Sequence, residues 1–396
     1  MFLLFRFSTP SVIRFRAITA AMAWGKVGHP AHNNPMAFRS GFVSIIGRPN
    51  AGKSTLLNAL LGQKLAIVTH KPQTTRNRIQ GVVEVPLKKK TKDAPGHPAA
   101  QVVLVDTPGI HKPGTQLDKR MMQEVYEALE SRNLVLFMVD VTHRLPQNQA
   151  AEGTKPKITG RMTLSAEEDD FSLQLIRNMS QRGEACPVIL LLNKVDQISP
   201  AEIMPLIQHW AGLYPFAEIL PISARKKINL DLLLDKVVDH LPEGQRYFPK
   251  DQLTDQPERF LVAELIREKI LLLTGEEVPY STAVVIEKYE EPAFIPNKPK
   301  PGMKLPVTKI AAAIFCERTG QKAILIGKQG AMLKEIGSAA RKEIESLLGT
   351  RVFLELFVKV QEDWRSRPGF IEDLDWRRQL EQMAEKQARD VSEPGE

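Results

Sequence analysis

Gly41-Phe42-Val43-Ser44-Ile45-Ile46, running directly into Gly47-Arg48-Pro49-Asn50-Ala51-Gly52-Lys53-Ser54 and then Thr55-Leu56-Leu57-Asn58-Ala59-Leu60-Leu61-Gly62, decides the fold. The first six residues read as a short apolar strand, the last eight as a helix stopped by glycine. Between them lies the phosphate-loop spacing Gly-x-x-x-x-Gly-Lys-Ser. Its glycines let successive backbone N–H groups turn towards a β-phosphate at a positive helix end, Lys53 adds a mobile cation, and the Ser54 hydroxyl suits Mg²⁺. Gly47, Asn50, Ala51, Gly52, Lys53, Ser54 and Thr55 are therefore expected to hold a nucleoside triphosphate. The loop by itself says no more than that.

Three later motifs narrow the nucleotide. Ala100 to Val105 reads as a buried strand ending in Asp106-Thr107-Pro108-Gly109, which sets a carboxylate near the metal and a glycine amide near the terminal phosphate. Val188 to Leu192 is another strand, ending in Asn193-Lys194-Val195-Asp196. A carboxylate such as Asp196 accepts from both the N1–H and the 2-amino group of guanine, a donor pair that adenine lacks. Ile219 to Ile222 then delivers Ser223-Ala224-Arg225, whose Ala224 amide is expected to reach the guanine oxygen. Asn-Lys-x-Asp alone is usually just a polar loop. Four such elements in this order, each at a strand end, make chance a poor explanation and point to GTP and GDP, with Mg²⁺.

In that order of motifs the chain resembles the translation-associated guanine-nucleotide-binding proteins. The resemblance implies that Pro72-Gln73-Thr74-Thr75-Arg76 is a first switch, in which Thr75, or alternatively Thr74, closes over Mg²⁺ when the γ-phosphate is present. It makes Ser54, Thr75 and Asp106 the metal ligands, and Lys53, Thr75 and Gly109 the catalytic groups. Directly after Asp-Thr-Pro-Gly, where the best-known small GTPases keep a water-orienting Gln, stands Ile110, and no side-chain amide does that task here. The chain looks like the subgroup with a hydrophobic residue at this site, which implies slow turnover that depends on switch ordering, a cation or a partner. Asn50 matches the ligand for a monovalent cation such as K⁺ in relatives of that subgroup; the alternative is a plain loop cap.

The chain is longer than one core normally serves, at 396 residues, and 43% apolar with 25% charged is ordinary for a globular protein. The net charge of +8 is no nucleic-acid signal: eleven Lys and Arg and no acid fall in the first 83 residues, leaving 43 basic against 46 acidic residues in the rest. Residues 1–38, with Arg6, Arg14 and Arg16, are acid-free as organelle transit peptides are. A bland extension, or a start assigned before Met36, is the favoured reading, because Ser and Thr are few. A bacterial-type cytoplasmic location is then expected, with plastid or mitochondrion as the alternative. No run of 18 apolar residues marks a membrane span. Cys186 and Cys316 show no metal-type spacing and read as buried thiols of a reducing compartment.

From Lys53 to His240 strands alternate with helices, which argues a doubly wound, mostly parallel sheet for an α/β first domain over 39–242. Nucleotide sites of such sheets lie at the carboxyl ends of strands, where the motifs fall. Lys88 to Ala99 and Leu145 to Glu168 read as surface loops, the Lys88-Lys89-Lys90 run as a solvated hairpin tip, and 243–258 as a linker.

A smaller α+β domain is expected over 259–366. It comprises an amphipathic helix from Glu258, strands Ala283 to Glu290 and Thr308 to Glu317, a helix Gln321 to Ile326, the loop Gly327-Lys328-Gln329-Gly330, a helix Ala331 to Leu348, and a strand Val352 to Val360. Leu333, Ile336, Ala340, Ile344 and Leu347 fall on one helix face. Helix, Gly-x-x-Gly, helix is the arrangement of a KH domain, and two strands ahead of the motif make it type II. Its glycines let a sugar-phosphate backbone approach, Lys328 meets the charge, and the following helix N-terminus favours an anion. Phe353 and Phe357 share the other face of the last strand and are expected to pack against protein rather than stack on bases. Residues 367–396 read as a charged tail.

A guanine-nucleotide domain followed by a type II KH domain closely resembles the Era family of bacterial ribosome-assembly GTPases, from about Phe38 to Arg365. The resemblance implies a P-loop GTPase that grips single-stranded RNA at the 3′ end of 16S ribosomal RNA through Gly327, Lys328, Gln329 and Gly330. It further implies a role in maturation of the 30S subunit, peripheral contact with the inner membrane, and a monomer. The rival is a scaffold that holds nucleotide and RNA without turnover. A phosphoryl-transferring kinase is at odds with Asn193-Lys194-Val195-Asp196, and the single P-loop excludes a double GTPase.

Overall fold

A computed structural model describes residues 37–89, 96–111, 113–130, 132–142, 163–181, 186–275, 277–292 and 306–378, with the backbone alone for 163–170 and 180. The extension before Met36, most of the 145–168 loop, Lys90 and the end of the tail lie outside the described residues. The described residues divide into two units, one over 257–364 and 372–378, the other over 37–256 together with 365–371.

The larger unit is built on the order β1 (Arg39–Ile46), α1 (Lys53–Leu61), β2 (Ile79–Val85), β3 (Ala100–Asp106), α2 (Gln116–Glu130), β4 (Leu134–Asp140), α3 (Thr163–Gln181), β5 (Val188–Asn193), α4 (Pro200–Leu213), β6 (Glu218–Ile222) and α5 (Leu230–His240). Its six-stranded sheet runs β2-β3-β1-β4-β5-β6, and only β2 pairs antiparallel to its neighbour. β3, β4 and β5 are buried at every position, as parallel strands covered by helices on both faces must be. Phe137 of β4 sits at the centre of one face with Ile46, Leu190 and Trp210, its ring edge-on to the indole at 5.8 Å. The expectation of a mostly parallel doubly wound sheet holds.

Three segments differ from the sequence reading. α3 begins at Thr163, inside the stretch read as loop, because Ala166-Glu167-Glu168 are good helix formers that carry the helical pattern upstream. Lys88 and His97 exchange backbone hydrogen bonds of 3.0 Å as the paired base of a hairpin, and Lys88 Nζ pairs with Asp235 on α5 rather than standing in solvent. The segment read as a linker is laid against the sheet up to Gln256. Leu253 O accepts from Val82 N at 2.8 Å, Thr254 Oγ1 donates to Gln80 O at 2.5 Å, and Gln101 Oε1 accepts from the amides of Tyr247 and Phe248. The cause is β2, an edge strand whose open ladder any neighbouring chain can satisfy.

The smaller unit is built on α6 (Glu258–Leu273), β7 (Ala283–Glu290), β8 (Val307–Cys316), α7 (Thr319–Ile326), α8 (Ala331–Leu348) and β9 (Arg351–Val360). β8 pairs antiparallel with β7 and parallel with β9. Ile336, Ala340, Ile344 and Leu348 of α8 join Val262, Ile266 and Ile270 of α6 and Ile310, Ala312 and Ile314 of β8 in one core. Leu333 and Leu347 flank it, half-buried. This is the type II KH order. Phe353 and Phe357, expected to pack, are 53% and 48% exposed on the open sheet face instead, because all three helices lie on the other face. Cys316 is buried, whereas Cys186 is half-buried with Arg132 Nε donating to its Sγ at 3.1 Å; burial raises both thiols. A short helix α9 (Pro368–Asp373) opens the tail. No helix among the described residues is long and apolar enough to cross a membrane.

Candidate functional site

Every motif at a strand end in the larger unit contributes to one cleft of about 620 Å³. Pro49, Asn50, Gly52, Lys53, Ser54, Thr55, Thr75, Gly109, Asn193, Lys194, Asp196, Ser223, Ala224 and Arg225 line it. Gly47, Ala51, Asp106, Thr107 and Pro108 are buried and are not among the lining residues. Lys53 Nζ donates to Gly47 O and Arg48 O at 2.9 Å each, so the loop closes over its own lysine. The Thr107 hydroxyl is spent on Ile45 O at 2.8 Å and fastens β3 to β1.

Ser54, Thr75 and Asp106 converge. Ser54 Oγ lies 2.6 Å from Asp106 Oδ2 and 2.8 Å from Thr75 Oγ1, and Thr75 Oγ1 lies 3.4 Å from Asp106 Oδ2. Of the two threonines, Thr75 is the one brought to Ser54 and Asp106, while Thr74 Oγ1 binds Lys71 O and Thr69 Oγ1 at 2.7 Å each. Asp106 is fully buried with Oδ1 lacking a hydrogen-bond partner, and burial pushes its carboxyl up to about 6, against the charge of Lys53 and the hydroxyls of Ser54 and Thr75. An unsatisfied carboxylate oxygen among hydroxyl oxygens is the hard, oxygen-only donor set that suits Mg²⁺.

Asn193 joins two loops. Its Nδ2 donates to Ala51 O at 2.7 Å and its Oδ1 accepts the Ala224 N–H at 3.0 Å. A Cβ on Gly52, whose φ is +105°, would stand 2.3 Å from Asn193 Nδ2, so only glycine fits there. The Ala224 amide, expected to reach the guanine oxygen, lies in the cleft lining and here donates to Asn193 Oδ1. Asp196 is exposed in the turn after β5, with its carboxylate in the cleft lining. Ser223 is buried and its Oγ accepts from Lys226 N at 3.0 Å, bracing the loop. Asn50 has φ +61° and donates through Nδ2 to His70 O at 2.8 Å, tying the phosphate loop to the segment ahead of Thr75.

Asp140 was missed in the sequence. At the end of β4 it accepts from Lys194 Nζ at 2.5 Å and from the Thr142 amide and hydroxyl, with Arg48 at 3.5 Å. Burial works to raise its carboxyl, and the bonds from Lys194 and Thr142 outweigh it, holding it low. The available signal was its place: a carboxylate closing an apolar strand, as Asp106 does.

Ile110 is fully buried among Ile46, Val125, Phe137 and Val139, with its N–H on Gly47 O at 3.1 Å. The position lies in the core, not in the cleft.

In the smaller unit Gly327, Lys328, Gln329 and Gly330 form a single tight turn, with Gly330 N donating to Gly327 O at 3.2 Å. Lys328 and Gln329 are exposed. A Cβ on Gly327 would meet Met332 N at 2.8 Å, which places the turn tight against the first residues of α8. The backbone there is open to an extended polymer carrying phosphate, with a lysine and a helix N-terminus at hand.

Two family models match the chain, the 50S ribosome-binding GTPase family over residues 42–194 and the KH domain over 277–365. The GTPase Era of Geobacter metallireducens is 45% identical over 342 residues, covering 86% of this chain and 98% of the relative. That of Syntrophus aciditrophicus is 42% identical over 336 residues, covering 85% and 94%. Among solved structures, a variant of Aquifex aeolicus Era bound to GDP·AlF4⁻ is 39% identical with a TM-score of 0.68, covering 85% of this chain and 99% of that one. Era in complex with MgGDPNP and nucleotides 1506–1542 of 16S ribosomal RNA is 38% identical with a TM-score of 0.67 and the same coverage.

Proposed function

The chain belongs to the Era family of GTPases, and from that premise we propose that its nucleotide cycle controls a grip on the single-stranded 3′ end of 16S ribosomal RNA during maturation of the small ribosomal subunit. It binds and hydrolyses GTP. The observation that carries the reading is that one chain holds both a cleft in which Ser54, Thr75 and Asp106 already converge and an exposed Gly-Lys-Gln-Gly turn at a helix N-terminus.

In this reading the phosphate-loop amides and Lys53 hold the phosphates, and Asp196 selects guanine through its two donors. Ser54, Thr75 and Asp106 hold Mg²⁺, which when bound neutralises charge on the phosphate oxygens. The Gly109 amide lies against the phosphate loop, since a Cβ there would stand 2.7 Å from Pro49 N. Asn50 serves a monovalent cation. Gly327 to Gly330 admit the RNA backbone and Lys328 pairs with its phosphates. Action on assembling subunits puts the protein in the cytoplasm, working as a monomer. The complex of a relative with 16S RNA supports a small-subunit target over the large subunit named by the family model.

Coupling requires GTP and GDP states that differ in RNA affinity, and by reciprocity RNA must alter the nucleotide equilibrium. The test is steady-state GTP hydrolysis with and without a short single-stranded RNA copied from the 16S 3′ end. Stimulation by that RNA and not by a scrambled one is the expected result; equal rates in all three would defeat the reading.

A further inference from the structure

We propose that Asp118 is a positioning residue for GTP hydrolysis, a latch that joins the segment carrying Thr75 to the segment carrying Gly109. The proposal rests on the reading of the cleft as a GTP site.

Asp118 stands in the first turn of α2, where its two carboxylate oxygens have separate tasks. Oδ2 accepts from Gly114 N at 3.1 Å, Thr115 N at 2.9 Å and Thr115 Oγ1 at 2.9 Å, while Thr115 Oγ1 accepts from Asp118 N at 3.2 Å. That reciprocal pair is a capping box, which satisfies two of the donors at the helix start. Oδ1 is not needed for it. Oδ1 instead accepts from Gln73 Nε2 at 3.0 Å and lies 3.1 Å from His111 Nε2, whose Nδ1 is 2.9 Å from Gly109 O. A chain of contacts thus runs from Gln73, two residues before Thr75, through Asp118 and His111 to the carbonyl of Gly109, and both His111 contacts are hydrogen bonds when the imidazole carries both protons.

Two further observations fit a latch better than a plain cap. Gln73 is held at φ +56°, a conformation that costs free energy outside glycine and persists where surrounding bonds impose it. Burial works to raise the Asp118 carboxyl, yet the bonds from His111, Thr115 and Gly114 outweigh it and hold it well below the usual carboxylate range, so the group stays ionised. Hydrogen bonds to a charged acceptor are the strong ones. With Ile110 in the core, ordering of these two segments is what remains to set Thr75 and the Gly109 amide against the nucleotide together.

Asp118→Asn separates the tasks: its carbonyl oxygen can keep the cap while its NH₂ meets the Gln73 donor. Gln73→Ala opens the same latch from the other side and leaves the helix cap untouched. Single-turnover GTP hydrolysis and GDP affinity are measured for the wild type, both variants and the double variant. Each single variant is expected to lose about tenfold or more in the hydrolysis rate with GDP affinity within about twofold, and the double variant to be no slower than either. Unchanged hydrolysis in Gln73→Ala, or rate losses that multiply in the double variant, would overturn the latch. Failure of the wild type to bind GTP would instead overturn the reading of the cleft.

Discussion

Asn193 Oδ1 accepts the Ala224 N–H at 3.0 Å while Nδ2 of the same side chain donates to Ala51 O at 2.7 Å, so one buried amide braces the guanine-side loop and the phosphate loop together. Asn193→Ala leaves a buried donor and a buried acceptor without partners, each costing about 1–3 kcal/mol. GDP affinity should fall at least about tenfold by isothermal titration, although the side chain's two bonds are made to protein.

In the proposed reading Asp196 selects the base. Asp196→Asn replaces two acceptors by one donor and one acceptor, which no longer match guanine but do match xanthine, where a carbonyl replaces the 2-amino group. GTP binding should weaken by about 10²-fold or more and xanthosine triphosphate should bind better than GTP, read by competition against a fluorescent nucleotide.

Ile110→Gln tests whether a side-chain amide at this position could serve hydrolysis. Because Ile110 is fully buried in the core, the substitution buries an unpartnered amide and should cost about 2–4 kcal/mol of stability, with a clear fall in Tm. Turnover should not rise; faster hydrolysis at unchanged Tm would contradict this placement.

Asp106 gives a pH dependence. Its folded-state value, about 6, lies above the ordinary 3.8, so without metal the folded state favours the neutral form. Stability from this group is full below about 4 and is lost as pH rises through about 6. Metal-free protein should therefore melt at lower temperature at pH 7 than at pH 5, with that difference reduced in Asp106→Asn. Mg²⁺ needs the ionised carboxylate, so the tightening of GDP binding by Mg²⁺ should fade as pH drops below about 6.

The strand-end motifs were legible because each couples a local pattern to a side chain with one evident task. Asp140 was not, since its partners Lys194 and Arg48 stand 54 and 92 residues away and no spacing rule joins them. The bond from the Ala224 N–H to a residue 31 positions earlier was hidden for the same reason. The 243–258 segment has the polar, Pro-containing composition of a tether, and that composition reads the same whether the chain is free or laid along an edge strand. Phe353 and Phe357 fit the alternation of a strand, but alternation does not say which sheet face the helices cover.

The most direct measurement is the affinity of a short single-stranded RNA from the 3′ end of 16S ribosomal RNA for the full chain, with a non-hydrolysable GTP analogue or with GDP, for wild type and Gly330→Asp. A Cβ at Gly330 meets nothing within 4 Å, and Asp tolerates a left-handed φ such as the +79° found there better than most residues, so the substitution adds a charge at the turn without a clash. Tighter binding in the GTP-analogue state, lost in Gly330→Asp, is the predicted result. RNA affinity that ignores both the nucleotide and the substitution would contradict a GTP-controlled grip.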